Sequence, residues 1–256
     1  MKKAYLALRG LYYSGKKFTC PLCNHSFRKM LPGGFDLKII QEKEIIGAGL
    51  RSNNICPYCQ STDRDRLIYL YLKDKTTLFK SKVKVLHVSP EPALYNVLNN
   101  LNNIVYVVGT KYSEGIYYPK RITSIDLLNL AFNNHEFDYV ICNHVLEHII
   151  DDGRAMREIF RVLVPGGKAI LQVPYSKKID ATYEDDSITT ETDREKHFGQ
   201  FDHVRIYAED YKDRLEAAGF EVEVFNPEVG DNYDKSKNLF AINVREDLFV
   251  GHKNKT

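Results

Sequence analysis

From Val83 onward the chain alternates short apolar runs with segments of helical periodicity, and that alternation constrains the fold more than any other feature. Strand-like runs at Val83–Val88, Ile104–Val108, Ile122–Ile125, Phe137–Cys142, Lys168–Val173, Phe220–Phe225 and Leu239–Val244 are interleaved with helical patterns at Ala93–Leu101, Gly153–Leu163 and Tyr207–Ala218. Continuous apolar runs suit strands buried on both faces, and parallel strands need helical crossovers between them. The predicted architecture is an α/β domain, its mostly parallel sheet covered by helices on both sides. The polar stretch 176–206 interrupts the pattern, and a connection of that length in a compact domain is expected to act as a lid or binding loop.

Upstream of Val83 the character changes. Residues 3–14 have helical spacing, Cys20 to Cys59 is cut into short segments by Pro21, Pro32-Gly33-Gly34, Gly47, Gly49 and Pro57, and Arg64 to Asp74 is helical again. The 256 residues carry 36 basic and 34 acidic side chains, a net charge of +2. Residues 1–84 hold 17 basic and 6 acidic groups, so a front of +11 is joined to a back of −9. Two units are predicted: 1–82, with the N-terminal helix, a cysteine-rich segment and a linking helix, and 83–256, the α/β domain with its lid. The overall balance excludes a uniformly basic nucleic-acid binder, but the front alone can attract an anionic partner such as RNA. No run of about 18 apolar residues exists to span a membrane, and the N-terminus lacks a secretory pattern, so a cytoplasmic protein is expected.

Four of the five cysteines form two Cys-x2-Cys knuckles, Cys20-Pro-Leu-Cys23 and Cys56-Pro-Tyr-Cys59, with 32 residues between them. Each knuckle can aim two thiolates at one ion, and four thiolates complete the closed tetrahedron of a structural zinc site. The segment is too small for a self-sufficient core, and a Zn2+ staple would supply what it lacks. His25 is expected near the metal without ligating it, and Cys142, in an apolar strand, is expected to be packing only.

At the first strand–helix junction, His87-Val88-Ser89-Pro90-Glu91, Ser89 is read as the N-cap, Pro90 as the first helical residue and Glu91 as part of the first turn. A helix start there opens a crevice suited to a ligand carboxylate. There is no G-x-G-x-x-G pyrophosphate loop. Further on, Phe137-Asp138-Tyr139-Val140-Ile141-Cys142-Asn143-His144-Val145-Leu146-Glu147-His148 is followed by Arg161-Val-Leu-Val-Pro165-Gly166-Gly167. With these two motifs, residues 83–245 resemble the class I S-adenosylmethionine-dependent methyltransferases of the type 11 branch. The resemblance implies a Rossmann-like sheet whose last strand is antiparallel, with Pro165-Gly166-Gly167 stopping a helix and turning the chain into the fifth strand.

The resemblance also implies where the cofactor binds. His87, Ser89 and Glu91 stand where the family has a glycine-rich loop, and Lys111 stands where an acidic residue would grip the ribose, with Glu114 as a substitute. Asp126 matches the residue directed at the adenine amino group, Leu127 the one packed beside the base, and Asn143 and His144 line the sulfonium end.

Methyl transfer is an in-line displacement, so alignment supplies much of the rate and a base is needed only for acceptors that lose a proton. Lids at this place in the fold shape the acceptor pocket. That makes His203 the base candidate, Arg205 an anion holder and Tyr207 an orienter, with His144 as a second catalytic candidate; the alternative is that Asp202-His203 and Arg205 only pin the loop to the sheet edge. The expected activity is methyl transfer from S-adenosylmethionine to oxygen or nitrogen of a small or sugar-like acceptor. The alternatives are an RNA methyltransferase that uses the basic front for RNA and a non-catalytic binding protein.

Overall fold

The alternation resolves into a seven-stranded sheet in the computed structural model, which describes residues 2–111, 122–227 and 238–255. In chain order the strands are β1 (Val83–Val88), β2 (Ile104–Thr110), β3 (Thr123–Ser124), β4 (Phe137–Asn143), β5 (Leu163–Gln172), β6 (Glu221–Phe225) and β7 (Leu248–His252). They lie side by side in the order β6-β7-β5-β4-β1-β2-β3. The pairs β1–β2, β1–β4, β2–β3 and β4–β5 are parallel, whereas β7 runs antiparallel between β5 and β6. This is the predicted Rossmann-like sheet, mostly parallel with its last strand reversed.

Both faces of the sheet are covered, and the period-2 alternation of its strands shows how. Val140 and Cys142 of β4, with Leu86, Val88 and Leu171, pack on Ala155, Met156 and Ile159 of helix Asp152–Val162 and on Tyr211 and Leu215 of helix Tyr211–Ala217. Tyr139 and Ile141 point the other way and, with Val85, Ile170 and Val250, meet Leu94 and Leu98 of helix Pro92–Leu98 and Leu67, Ile68, Tyr71 and Leu72 of helix Asp63–Lys75. The helix linking the front unit to the sheet is thus itself a covering layer. Its start is fixed by a capping box, in which Thr62 accepts from the Asp65 amide while the Asp65 side chain accepts from the Thr62 amide.

Three local expectations are corrected. The last strand is Leu248–His252 rather than Leu239–Val244. Phe240, Ile242 and Val244 do face the core, but the segment is a strap whose Leu239 carbonyl accepts from Thr19 N at 2.7 Å. At the first junction Glu91 holds the N-cap position without a side-chain cap bond and Pro92 opens the helix, while Ser89 adopts a left-handed φ of +46°. Pro165-Gly166-Gly167 lies inside β5 as an irregularity rather than before it, and helix Asp152–Val162 runs straight into Leu163. Glycine is required at 167, where a Cβ would approach the Val164 carbonyl oxygen to 2.9 Å.

The front unit contains two hairpins, Ser14–Cys20 with His25–Phe27 and Leu31–Gly33 with Arg51–Ile55. Phe18, Phe27 and Met30 surround Cys20 and Cys56 in a small core that also takes in Ala241 of the strap. Arg66, fully buried, ties these parts together. Its guanidinium donates to the carbonyls of Phe240 (2.7 Å), Ser61 (2.8 Å), Asn54 (2.8 Å) and Ala241 (2.5 Å).

The segment 176–206 has structure of its own, with Tyr183–Glu184 paired to Arg205–Ile206 and a helix at Glu191–Phe198. It shares an apolar cluster with the front unit, Phe198 and Ile206 packing against Ile40 and Ile45. Among the described residues no helix is long and apolar enough to cross a membrane.

Candidate functional site

In the strand order the chain moves outward from β1 in both directions, to β2 on one side and to β4 on the other, so the carboxyl ends of β1 and β4 open a crevice where ligands of open α/β sheets bind. Glu91 stands in it. Its Oε2 contacts Nε2 of the buried His87 at 3.0 Å, and Nδ1 of the same ring bonds the Tyr106 hydroxyl at 2.7 Å. Its Oε1 accepts from Nδ2 of Asn143 at the end of β4. Burial alone would raise the Glu91 carboxyl, but the His87 and Asn143 bonds hold it below the usual carboxylate range. His87, at no exposure, positions Glu91 and does not itself face the crevice.

Asn143 Oδ1 is buried without a hydrogen-bond partner, an acceptor that a bound ligand would satisfy. Ser89 Oγ bonds Thr110 Oγ1 at 3.1 Å across to β2. Lys111 Nζ, just past β2, pairs with Asp126 Oδ2 at 2.9 Å, both side chains about half exposed. The Leu128 amide and the Lys111 ammonium together keep Asp126 below its ordinary range. Leu127, expected beside the base, instead turns into the core at 4% exposure. Glu114 lies outside the described residues.

Past β4 the chain makes a tight turn, with His144 at φ +53° and a short 3-10 helix at Leu146–His148. The Glu147 carboxylate is wholly buried beneath it, and neither oxygen has a hydrogen-bond partner. Three imidazoles surround Oε1: His144 Nδ1 at 3.2 Å, His148 Nε2 at 3.9 Å and His203 Nε2 at 3.9 Å. The structure therefore brings His203 and His144 to one carboxylate, although 59 residues separate them in the chain. Burial and the Arg64 guanidinium push His144 down to about 4, and burial also lowers His203.

Arg205 and Tyr207 are placed differently from the anion holder and orienter of the sequence reading. The Arg205 guanidinium donates to Glu184 (2.7 Å) and to the carbonyls of Leu146, Ile149 and Ile150, at 4% exposure. Tyr207, fully buried, donates to Asp152 Oδ2 at 2.8 Å. Arg205 anchors the lid to the turn after β4, as in the loop-pinning alternative, and Tyr207 ties it to the start of helix Asp152–Val162.

The front unit contributes groups that sequence reasoning missed. Arg64 Nη1 lies against the His144 ring, and Asp65, one residue on, is pushed up to about 7 by burial and by nearby Glu91. Gly47 is close to both His144 and the buried Glu246, which burial pushes up to about 7 and which accepts from Gln172 Nε2 at 3.1 Å. A groove of about 580 Å3 begins at Gly47, lined by Ile45, Ile46, Arg51, Asn243 and Arg245. The Asp63-Arg64-Asp65-Arg66 run announces a helix start, but nothing in it says that residues 64 and 65 face β4.

The cysteine knuckles meet as predicted. All five cysteines are free thiols, and the Sγ atoms of Cys20, Cys23, Cys56 and Cys59 lie within 4.8 Å of one another, with Cys20–Cys59 at 3.6 Å and Cys23–Cys56 at 3.8 Å. A tetrahedral zinc ion with Zn–S bonds of ~2.3 Å spaces its sulfurs about 3.8 Å apart, so this donor set fits that ion. His25 stacks on Tyr58 with its Nδ1 2.7 Å from the Cys23 carbonyl, beside the cluster and outside it. Cys142 is packed in the core.

Parts of this chain are similar to known proteins. Residues 94–171 match the model of a family described as a methyltransferase domain. A ubiquinone/menaquinone biosynthesis C-methyltransferase of Idiomarina loihiensis is 25% identical over 141 residues, 49% of this chain and 56% of that protein. A probable S-adenosylmethionine-dependent methyltransferase of Mycolicibacterium smegmatis is 30% identical over 124 residues, 46% of this chain and 44% of that one. The chain thus spans about half the length of these curated relatives. Among solved structures, phosphoethanolamine N-methyltransferase 2 of Haemonchus contortus, bound to S-adenosylmethionine, superposes with a TM-score of 0.50 at 14% identity, over 76% of this chain and 53% of that one, a likeness of fold. Residues 94–171 therefore carry the sequence pattern of a methyltransferase domain, set in a seven-stranded Rossmann-like sheet of the class I type.

Proposed function

We propose that this protein transfers a methyl group from S-adenosylmethionine to an oxygen or nitrogen of a small, sugar-like acceptor, with a structural zinc ion on Cys20, Cys23, Cys56 and Cys59. The observation that carries the reading is the pairing of Glu91 with Asn143 across the crevice between β1 and β4, which leaves Asn143 Oδ1 buried and unpaired. A carboxylate beside an unsatisfied carbonyl is an acceptor site for an ammonium group, which the amino-acid end of S-adenosylmethionine has. The Ser89 hydroxyl is placed to serve the same end, and Lys111 with Asp126 to serve the nucleoside. When bound, the cofactor supplies an electrophilic methyl group on sulfur.

This chain's own residues must then align the acceptor and handle its proton. His144 ends β4 beside that crevice and, with Arg64 against its ring and its protonation disfavoured, serves to align the acceptor. The groove that Gly47 helps to line is our candidate for the acceptor's place, since Gly47 itself lies close to His144, and Arg51 and Arg245 stand in its wall. The lid is anchored over the same turn by Arg205.

Calorimetry with S-adenosylhomocysteine tests the reading directly. Binding weakened by Glu91→Gln and by Asp126→Ala supports it, and no binding to the unmodified protein at any accessible concentration overturns it. Incubation with labelled S-adenosylmethionine and separate pools of RNA and small metabolites decides the acceptor class, and label entering RNA alone would refute the small-molecule assignment.

A further inference from the structure

Glu147 is wholly buried, and neither of its carboxylate oxygens has a hydrogen-bond partner. A carboxylate removed from water without hydrogen bonds loses its hydration, and natural folds compensate such a charge with a cation. No Lys or Arg forms an ion pair with it among the described residues; its close neighbours are imidazoles. We propose that Glu147, His148 and His203 form a second metal site, separate from the four cysteines, that holds one divalent transition-metal cation.

The donor chemistry is right for such an ion. Two imidazole nitrogens and one carboxylate oxygen suit zinc, manganese, iron or cobalt, and three protein ligands leave positions open for water or an acceptor oxygen. The spacing is right as well. Two donors of an ion with bonds of ~2.1 Å stand at most ~4.2 Å apart. Nε2 of His148 and Nε2 of His203 are each 3.9 Å from Glu147 Oε1, and the three donor atoms lie within 4.8 Å of one another.

The surroundings also match those of a metal ligand. His148 Nδ1 is 3.1 Å from Asp202 Oδ2, and Asp202 Oδ1 accepts from Gln200 Nε2 at 2.7 Å. A carboxylate on one ring nitrogen fixes the tautomer and directs the lone pair of the other nitrogen, here toward Glu147. The Val204 amide donates to the Glu147 carbonyl at 2.9 Å, which fixes His203 of the lid against the turn that bears the other two ligands. His148 keeps 28% side-chain exposure, giving an ion a way in.

Mn2+ is the probe, because oxygen and nitrogen donors hold it while a tetrathiolate site does not favour it. Full-length protein with its cysteine site filled by zinc is titrated with Mn2+, and the free ion is followed by its paramagnetic resonance signal. The unmodified chain is expected to bind one Mn2+, and melting temperature is expected to rise with added ion. His148→Ala, a change at the most exposed ligand, abolishes both effects, as does Glu147→Gln. Asp202→Asn, which alters only the positioning of His148, weakens binding about tenfold. Absence of stoichiometric Mn2+ or Zn2+ beyond the cysteine site overturns the inference, and so does binding that His148→Ala and Glu147→Gln leave unchanged. S-adenosylhomocysteine binding measured on the same samples keeps the two readings apart, since it survives if only the metal site is wrong.

Discussion

Replacing Arg66 by methionine should be among the most damaging single changes in this chain. Methionine keeps the length of the side chain and removes every donor. Four guanidinium bonds of 2.5–2.8 Å are lost, to Phe240, Ser61, Asn54 and Ala241. A hydrogen bond from a charged donor contributes ~1.5–3 kcal/mol net, so the gross loss is roughly 6–12 kcal/mol. Part of that is offset, because a buried cation with no carboxylate ion pair among the described residues pays several kcal/mol in lost hydration that methionine avoids. The remainder is about 3–5 kcal/mol. At about 2–4 °C per kcal/mol for a chain of this size, melting should fall by roughly 6–20 °C, read by circular dichroism or calorimetry. Arg66→Lys, with three donors and a shorter reach, should fall between. Because Ser61 also touches Cys20 and Cys59 Sγ at 3.3 Å, zinc should exchange faster in Arg66→Met, as a chromogenic chelator would show. A melting point within about 3 °C of the unmodified protein, with unchanged zinc exchange, would refute the view that this one side chain joins ribbon, linking helix and strap.

Other consequences are equally open to measurement. Arg205→Ala removes the clamp on the carbonyls of residues 146, 149 and 150 and should speed limited proteolysis within 176–206, while S-adenosylhomocysteine affinity stays within about threefold. Cys56→Ser should release the zinc and lower the melting temperature, with metal analysis and thermal unfolding as the readouts. Glu246, raised to about 7 against an ordinary value near 4.5, adds stability that is full below about pH 4.5 and is lost as pH rises through about 7. Glu246→Gln should therefore flatten the stability profile across that window and be the more stable form at pH 8, a result that urea unfolding at several pH values would confirm or contradict.

Much of the sheet was legible because buried strands and covering helices impose periods of their own on the sequence. β1, β2, β4, β5 and β6 fall within a few residues of their apolar runs, and the second cysteine knuckle found the first. The misplaced last strand shows the limit of that reading. Phe240, Ile242 and Val244 alternate as a strand would, because alternate burial is all the pattern reports, and the pairing partner that decides between strand and strap is remote. The same holds at the site. Leu127 and Leu128 are indistinguishable by residue type, and only the fold turns Leu127 inward. Arg205 and Tyr207 have the chemistry of catalytic groups, but buried acceptors nearby, the 146–150 carbonyls and Asp152, use all of it. Arg64 and Asp65 reach the crevice from another unit of the chain, which no local window encodes.

The strap gives the order of synthesis an effect on folding. Arg66 and its acceptor at Phe240 are 174 residues apart, and Thr19 waits for Leu239. A ribosome that has finished the cysteine hairpins therefore still has most of the chain to make before their covering segment exists. Closing a loop of that size is slow compared with forming local contacts. Until then the ribbon lacks its Ala241 contact and Arg66 lacks its Phe240 and Ala241 carbonyl acceptors, so the hairpins are made well before they are sealed.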